Sequence, residues 1–165
     1  MRSIELVFDG FTDSTIRADW SRLAAAGVPS LAGHTAPSNS PHITLAAGPG
    51  LRLPADLDGL WQLLPLDVEF SGAQLFPAGP GKFVLARSVV VTGPLLQLHT
   101  RLHSGIPEAL PLTRPGAWTP HVTLARRVPA GLLGPAMDVL DLRLQGQCSG
   151  ARLWDSATRT ITPLR

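Results

Sequence analysis

The sequence predicts an α+β protein of two lobes related by approximate twofold symmetry, with mostly antiparallel sheets flanked by helices and a groove between the lobes. Three observations predict it. First, four segments recur in the same order at nearly constant spacing. AGVP at 26–29 returns as SGIP at 104–107 and SGAQLF at 71–76 as SGARLW at 149–154, both 78 residues on. PHITLA at 41–46 returns as PHVTLA at 120–125 after 79, and PADLDG at 54–59 as PAGLLG at 129–134 after 75. Self-similarity at a fixed period is the signature of a repeated unit. Second, each copy reads strand, helix, strand, helix, strand. Third, two copies leave a remainder, ATRTITPLR at 157–165, which falls opposite the strand opening the second copy. The expected organisation is a single bilobal domain over 1–165, with one repeat at about 1–78, the second at about 79–156 and a closing strand at 157–165.

In the first copy, IELVF is strand-like, and TDST supplies capping candidates for a helix carrying Ile16, Trp20 and Leu23 at helical spacing. Gly27 suits the helix stop. In the second copy, FVLARSVVV is the strand, Pro94 suits a first helical turn, Leu95, Leu98 and Leu102 follow, and Gly105 stops the helix. Pro54 and Pro129 open the second helix of each copy, with Leu57, Leu60, Trp61 and Leu64 in one and Leu132, Met137 and Leu140 in the other. The strand ending each copy is expected to form a hairpin with the strand after it, through FPAGPGK at 76–82 and WDSATR at 154–159. The lobes would then interleave. Trp20, Trp61 and Trp154 fit core positions.

Composition narrows the function classes. With 44% hydrophobic and 16% charged residues, the chain is a compact folded protein and not a disordered one. No apolar run approaches the roughly 18–20 residues that span a bilayer, so no membrane association is expected. The N-terminus carries Glu5 and Asp9 and lacks an apolar signal core, making a cytoplasmic location the expectation. Cys148 is alone, so no internal disulfide can form. Net charge is only +2, and Lys82 is the one lysine among fourteen basic residues. That pattern lacks the clustered basic face of long-nucleic-acid binders and excludes long duplex nucleic acid as a partner, leaving room for a small phosphorylated ligand. A monomer is expected.

The repeated PHITLA and PHVTLA carry the chemistry. On a strand, residues two apart share a face. His42 and Thr44 therefore point one way while Ile43 and Leu45 enter the core, and His121 and Thr123 divide likewise from Val122 and Leu124. Pro41 and Pro120 favour strand beginnings, setting each HxT beside a loop. A twofold between the strands would place the two imidazoles across one groove. Two facing histidines, with ordinary pKa values near 6.5, can supply one base and one acid at neutral pH. Two hydroxyls beside them can donate to the non-bridging oxygens of a phosphate. The set suits in-line phosphodiester cleavage with no cofactor, metal or covalent nucleophile.

Other residues are weighed against plainer roles. His99 and His103 sit four apart on a helix, but no third ligand or HExxH glutamate accompanies them, so they read as packed or surface histidines. His34, in the loop before the first motif, is a substrate-binding candidate, as is Trp118, which could stack a base. Glu5 either lines the groove and orients a histidine or faces solvent.

The paired PHITL and PHVTLAR motifs, about 80 residues apart, resemble those of the two-histidine (2H) phosphoesterases, which include 2′-5′ RNA ligases and cyclic nucleotide phosphodiesterases. The resemblance in layout covers essentially the whole chain. It implies a bilobal fold with a central cleft and metal-independent hydrolysis of 2′,3′-cyclic phosphates or related cyclic phosphodiesters. The implied partner is a small cyclic phosphodiester or an RNA terminus. By that similarity His42, Thr44, His121 and Thr123 are catalytic, His121 as base and His42 as acid. Arg126, five residues after His121, stands where the RNA-ligase-like branch often has a phosphate-binding arginine, although strand parity turns it from His121 unless a bulge intervenes. The first motif continues as AAGPG, without that branch's basic-aromatic pair, which argues against long RNA. Two alternatives are a non-catalytic module for phosphorylated RNA ends and a 2′-5′ RNA ligase.

Overall fold

A computed structural model of the chain describes residues 1–36, 38–53 and 59–165. Strand β1 (Arg2–Phe8) is buried on both faces, Ile4 and Leu6 in the core and Ser3 and Glu5 on the other side. Helix α1 (Gly10–Ala25) starts one turn earlier than TDST suggested, because the Asp9 carboxylate caps it by accepting Thr12 N at 2.9 Å. Ile16, Trp20 and Leu23 are buried at the expected spacing. Gly27, at φ 75°, takes the left-handed turn that ends the helix.

Strand β2 (His42–Gly48) follows, and then a 3₁₀ turn at Trp61–Leu63. The helix expected from Pro54 through Leu57 lies partly outside the described residues; Leu60, Trp61 and Leu64 are buried. The chain continues through β3 (Leu66–Pro77), β4 (Lys82–Val89), α2 (Gly93–Ser104), β5 (His121–Pro129), α3 (Leu133–Asp138), β6 (Arg143–Asp155) and β7 (Thr160–Pro163). Pro94 lies in the first turn of α2 and Gly105 caps its end. After Pro129 comes a 3₁₀ turn, Ala130–Leu132, and only then the short α3.

The strands form one antiparallel sheet in the order β2-β1-β6-β3-β4-β5, with β7 also on β6. The late strand β6 thus completes the early pair β2–β1, and the early strand β3 completes β4–β5, the interleaving the repeats suggested. At the centre, Val68 of β3 stands opposite Gly146 of β6, positions 78 apart in sequence (146 − 68), so the approximate twofold passes between them. Both hairpins form. The closing strand β7, however, pairs with β6 without reaching β2; the place beside β2 that β4 holds beside β5 belongs to β1.

The repeated Ser-Gly pairs have a structural cause. Pairing shifts between Phe70 and Ala73 of β3, where Gly72 has φ 96°, and again across Ser149, between Cys148 and Gly150 of β6. Both are bulges at which the strand turns to a new neighbour. Gly146 is required for a different reason. A Cβ there would lie 2.5 Å from Thr12 Oγ1, on a side chain that is fully buried and accepts Gln147 N at 3.0 Å. Gly146→Ala is therefore expected to lower stability by about 1–3 kcal/mol in urea denaturation, the usual cost of overpacking.

The sheet curls so that its terminal strands, β2 and β5, come back within 8 Å of each other between Cα atoms. No described helix is long and apolar enough to cross a membrane.

Candidate active site

The curled sheet brings the two HxT strands together. Ile43, Leu45, Val122 and Leu124 are buried in the core, which turns His42, Thr44, His121 and Thr123, all half-buried, to the other face. The two imidazoles are held alike. His42 Nδ1 donates to the Ser40 carbonyl and His121 Nδ1 to the Thr119 carbonyl, each at 2.8 Å and each two residues upstream. A carbonyl can only accept, so Nδ1 carries a proton in both rings and Nε2 is the nitrogen left for chemistry.

The strands are pinned from behind by tryptophans. Trp20 Nε1 donates to the Thr123 carbonyl at 3.1 Å and Trp118 Nε1 to the Thr44 carbonyl at 2.9 Å. Trp118 also lies flat on His99, with ring centroids 3.8 Å apart. Its indole therefore braces β2, and like His121 and Thr123 it is not among the residues lining the cavity described below. His99 is fully buried with Nε2 on the Thr113 carbonyl at 2.9 Å, and burial pushes its pKa down to about 4. His103 Nε2 reaches the Leu45 carbonyl at 3.0 Å, and burial lowers its pKa as well. Among the described residues no three His, Cys, Asp or Glu side chains gather as a metal would need.

A cavity of about 600 Å³ opens beside His42 and Thr44, lined also by His34, Arg126, Glu5 and Arg152. Arg126 reaches it because pairing skips Leu124: Ala86 is opposite Thr123 but Leu85 is opposite Ala125. The bulge reverses strand parity, as the sequence reading required. The same bulge occurs in β2, where Glu5 is opposite Thr44 and Ile4 opposite Ala46. Trp154 lines the cavity and is half-buried, which corrects its expected core position. His34 is exposed at the rim.

Electrically the two histidines differ. His121 has its pKa lowered from 6.5, chiefly by burial, with the charges of His42 and Arg126 adding to the effect and the Thr119 hydrogen bond opposing it. Phe76 covers it, ring centroids 4.7 Å apart. Beside His42 stands a carboxylate, with Glu5 Oε1 3.6 Å from Nε2. Glu5 itself is almost wholly buried and pairs with Arg152, Nε to Oε2 at 2.8 Å. Sequence reasoning left Glu5 undecided and missed Arg152, although the one-letter difference between SGAQL and SGARL marks it.

An interleaved α+β sheet whose end strands meet with an HxT on each is the arrangement of the two-histidine phosphoesterases. The chain belongs to the 2′-5′ RNA ligase superfamily, whose family model matches residues 12–159. No curated protein matches it in sequence. Among solved structures it is similar to TT0787 of Thermus thermophilus, at 18% identity and TM-score 0.56, covering 99% of this chain and 94% of that one. It is also similar to Kluyveromyces marxianus Usb1 with uridine monophosphate, at 13% identity and TM-score 0.55 over 99% and 96% of the two chains. A phosphoesterase crystal structure aligns at 15% identity and TM-score 0.52, over 99% and 94%. At these identities the likeness is one of fold.

Proposed function

We propose that the protein is a metal-independent phosphodiesterase that opens 2′,3′-cyclic phosphates, or related cyclic phosphodiesters, of nucleotides or RNA termini. The observation that carries this reading is the matched pair of imidazoles, each with Nδ1 committed to a backbone carbonyl and Nε2 making no hydrogen bond to a described residue. The solved Usb1 neighbour was obtained with uridine monophosphate, which makes nucleotides the ligand class to test first. We read the whole chain as one bilobal domain acting through a single site.

In the proposed reaction His121 is the base, since its environment favours the neutral ring. Its Nε2 takes a proton from water as the water oxygen bonds to phosphorus. The opposite phosphorus–oxygen bond breaks, and His42 Nε2–H delivers a proton to the leaving ribose oxygen, giving a phosphomonoester. Thr44 and Thr123 donate to the non-bridging oxygens, and Arg126 supplies positive charge to them. His34 serves as a rim contact for the nucleoside.

The test is an assay of the purified protein on 2′,3′-cyclic nucleotides with and without chelator, with products identified by phosphorus NMR. One monoester, formed at equal rate in chelator, is the expected result. Binding without turnover would instead make the protein a binding module, and joining of cleaved RNA halves would make it a ligase. The pH profile adds a check. A base must be unprotonated, and a lowered pKa keeps it so further into acid. The acidic limb of kcat/KM should therefore fall below pH 6.5, activity being lost only as pH drops through the depressed pKa of His121.

A further inference from the structure

The approximate twofold of the site is broken at one pair of side chains. Across the sheet Glu5 stands opposite Thr44 on one side and Arg152 on the other, while Ala86 stands opposite Thr123 and Gln74. Glu5 and Ala86 thus hold equivalent places, as do Arg152 and Gln74, 78 residues apart (152 − 74). One half carries a buried ion pair where the other carries a methyl group and an amide.

That ion pair reaches both edges of His42. Glu5 accepts Ser3 Oγ on Oε1 at 2.6 Å and Arg152 Nε on Oε2 at 2.8 Å. Arg152 Nη1 donates to Ser40 Oγ at 2.7 Å and Nη2 to the Ser38 carbonyl at 3.3 Å, clamping the segment that leads into β2. The Ser40 carbonyl is the group that holds His42 Nδ1–H, and Glu5 Oε1 faces Nε2 of the same ring at 3.6 Å. Without Arg152 the buried carboxylate would be costly, so each member requires the other.

Resting on the phosphodiesterase reading, we propose that Glu5 and Arg152 are a positioning pair that commits His42, and not His121, to the acid role. The charged and titratable groups around His42 are Glu5 from β1, Arg152 from β6, His121 and Arg126 from β5, and His34 from the preceding loop. Glu5 is the one anion among them. Glu5 Oε1 faces the Nε2 edge of His42 at 3.6 Å, the edge that carries the proton to be delivered in the acid role. A bound substrate presents its leaving oxygen to that proton, which passes to the oxygen as the bond to phosphorus breaks. The pair forms no bond to substrate and takes up no proton.

Glu5→Gln keeps the shape and removes the charge. Its kcat is expected to fall about tenfold, less than the roughly 10²- to 10⁴-fold of a general acid itself because Glu5 acts through His42, with KM changed by less than about twofold. Arg152→Lys retains a cation beside Glu5 but loses the Ser38 and Ser40 clamp; it should lower kcat in the same way, with KM held. Wild-type kcat in Glu5→Gln, or a rise in KM in place of a fall in kcat, would overturn the proposal. Ring ¹⁵N NMR reads the same point without turnover. In Glu5→Gln the His42 Nε2 signal should move, since the carboxylate 3.6 Å away has lost its charge, with His121 unchanged. Identical His42 signals in the two proteins would overturn the pair. Moved signals in a protein inactive on every cyclic phosphate would sustain the pair and remove the phosphodiesterase reading.

Discussion

His42→Ala and His121→Ala are each expected to lower turnover of a 2′,3′-cyclic nucleotide by about 10²- to 10⁴-fold while leaving the fold intact. Both side chains are half-buried on the face away from the core, and each spends its Nδ1 on a carbonyl two residues back. Their loss removes little packing, so circular dichroism and the melting temperature should change little. Chemistry should suffer instead, because neither ring has a substitute: His99 and His103 are engaged with carbonyls behind the strand. The double variant should be scarcely worse than either single one, since acid and base act in the same transition state. Single-turnover rates on one cyclic nucleotide would measure all three. Wild-type activity in either single variant would end the paired-histidine mechanism.

The second large effect is on stability. Asp19→Ala should destabilise the protein by about 3–5 kcal/mol, the usual result of orphaning one partner of a buried ion pair. Asp19 of α1 and Arg87 of β4 are both almost wholly buried, with Arg87 Nε on Asp19 Oδ2 at 2.7 Å. Arg22 also reaches Asp19. Arg87 Nη2 holds the Asp141 carbonyl at 2.5 Å and Nη1 has no partner among the described residues, so loss of the carboxylate leaves most of the buried guanidinium unsatisfied. Urea denaturation gives the free energy directly. A change below about 1 kcal/mol would mean that the guanidinium escapes to solvent through the groove between Arg22 and Arg143.

Much of the fold could be read before the structure because the chain repeats itself. Strand order, the first helix of each copy with its stop at Gly27 or Gly105, and both hairpins followed from period and turn chemistry, whereas Pro129 opens a 3₁₀ turn ahead of the short α3. What parity could not supply was anything beyond a bulge. Arg126 points into the cavity only because pairing skips Leu124, and no local sequence signal announces that skip. Trp118 shows a second limit. An aromatic residue just before a motif suits base stacking and strand bracing equally, and the bracing bond from its N–H to the Thr44 carbonyl appears only in the structure. Arg152 was concealed differently. It sits in one of the best-matched repeat segments, where attention goes to the identities, and its meaning lies in its difference from Gln74. Similarity between the copies reveals architecture, while the departures from it reveal which copy does what.

The pairing of Leu66–Ser71 with Arg143–Cys148 has a mechanical consequence. Enzymes with two halves commonly clamp a ligand by rotating about a flexible tether. Here the halves are seamed by continuous backbone hydrogen bonds through the middle of one sheet, and each contributes a strand to the other. Such an object has no hinge to swing. Its compliance is torsional, a winding or unwinding of β3 against β6, and the gap between the two imidazoles is a property of that seam. Any adjustment at the cavity then falls to its rim, where the loop carrying His34 lies, while the strands that carry the two imidazoles stay tied to the sheet.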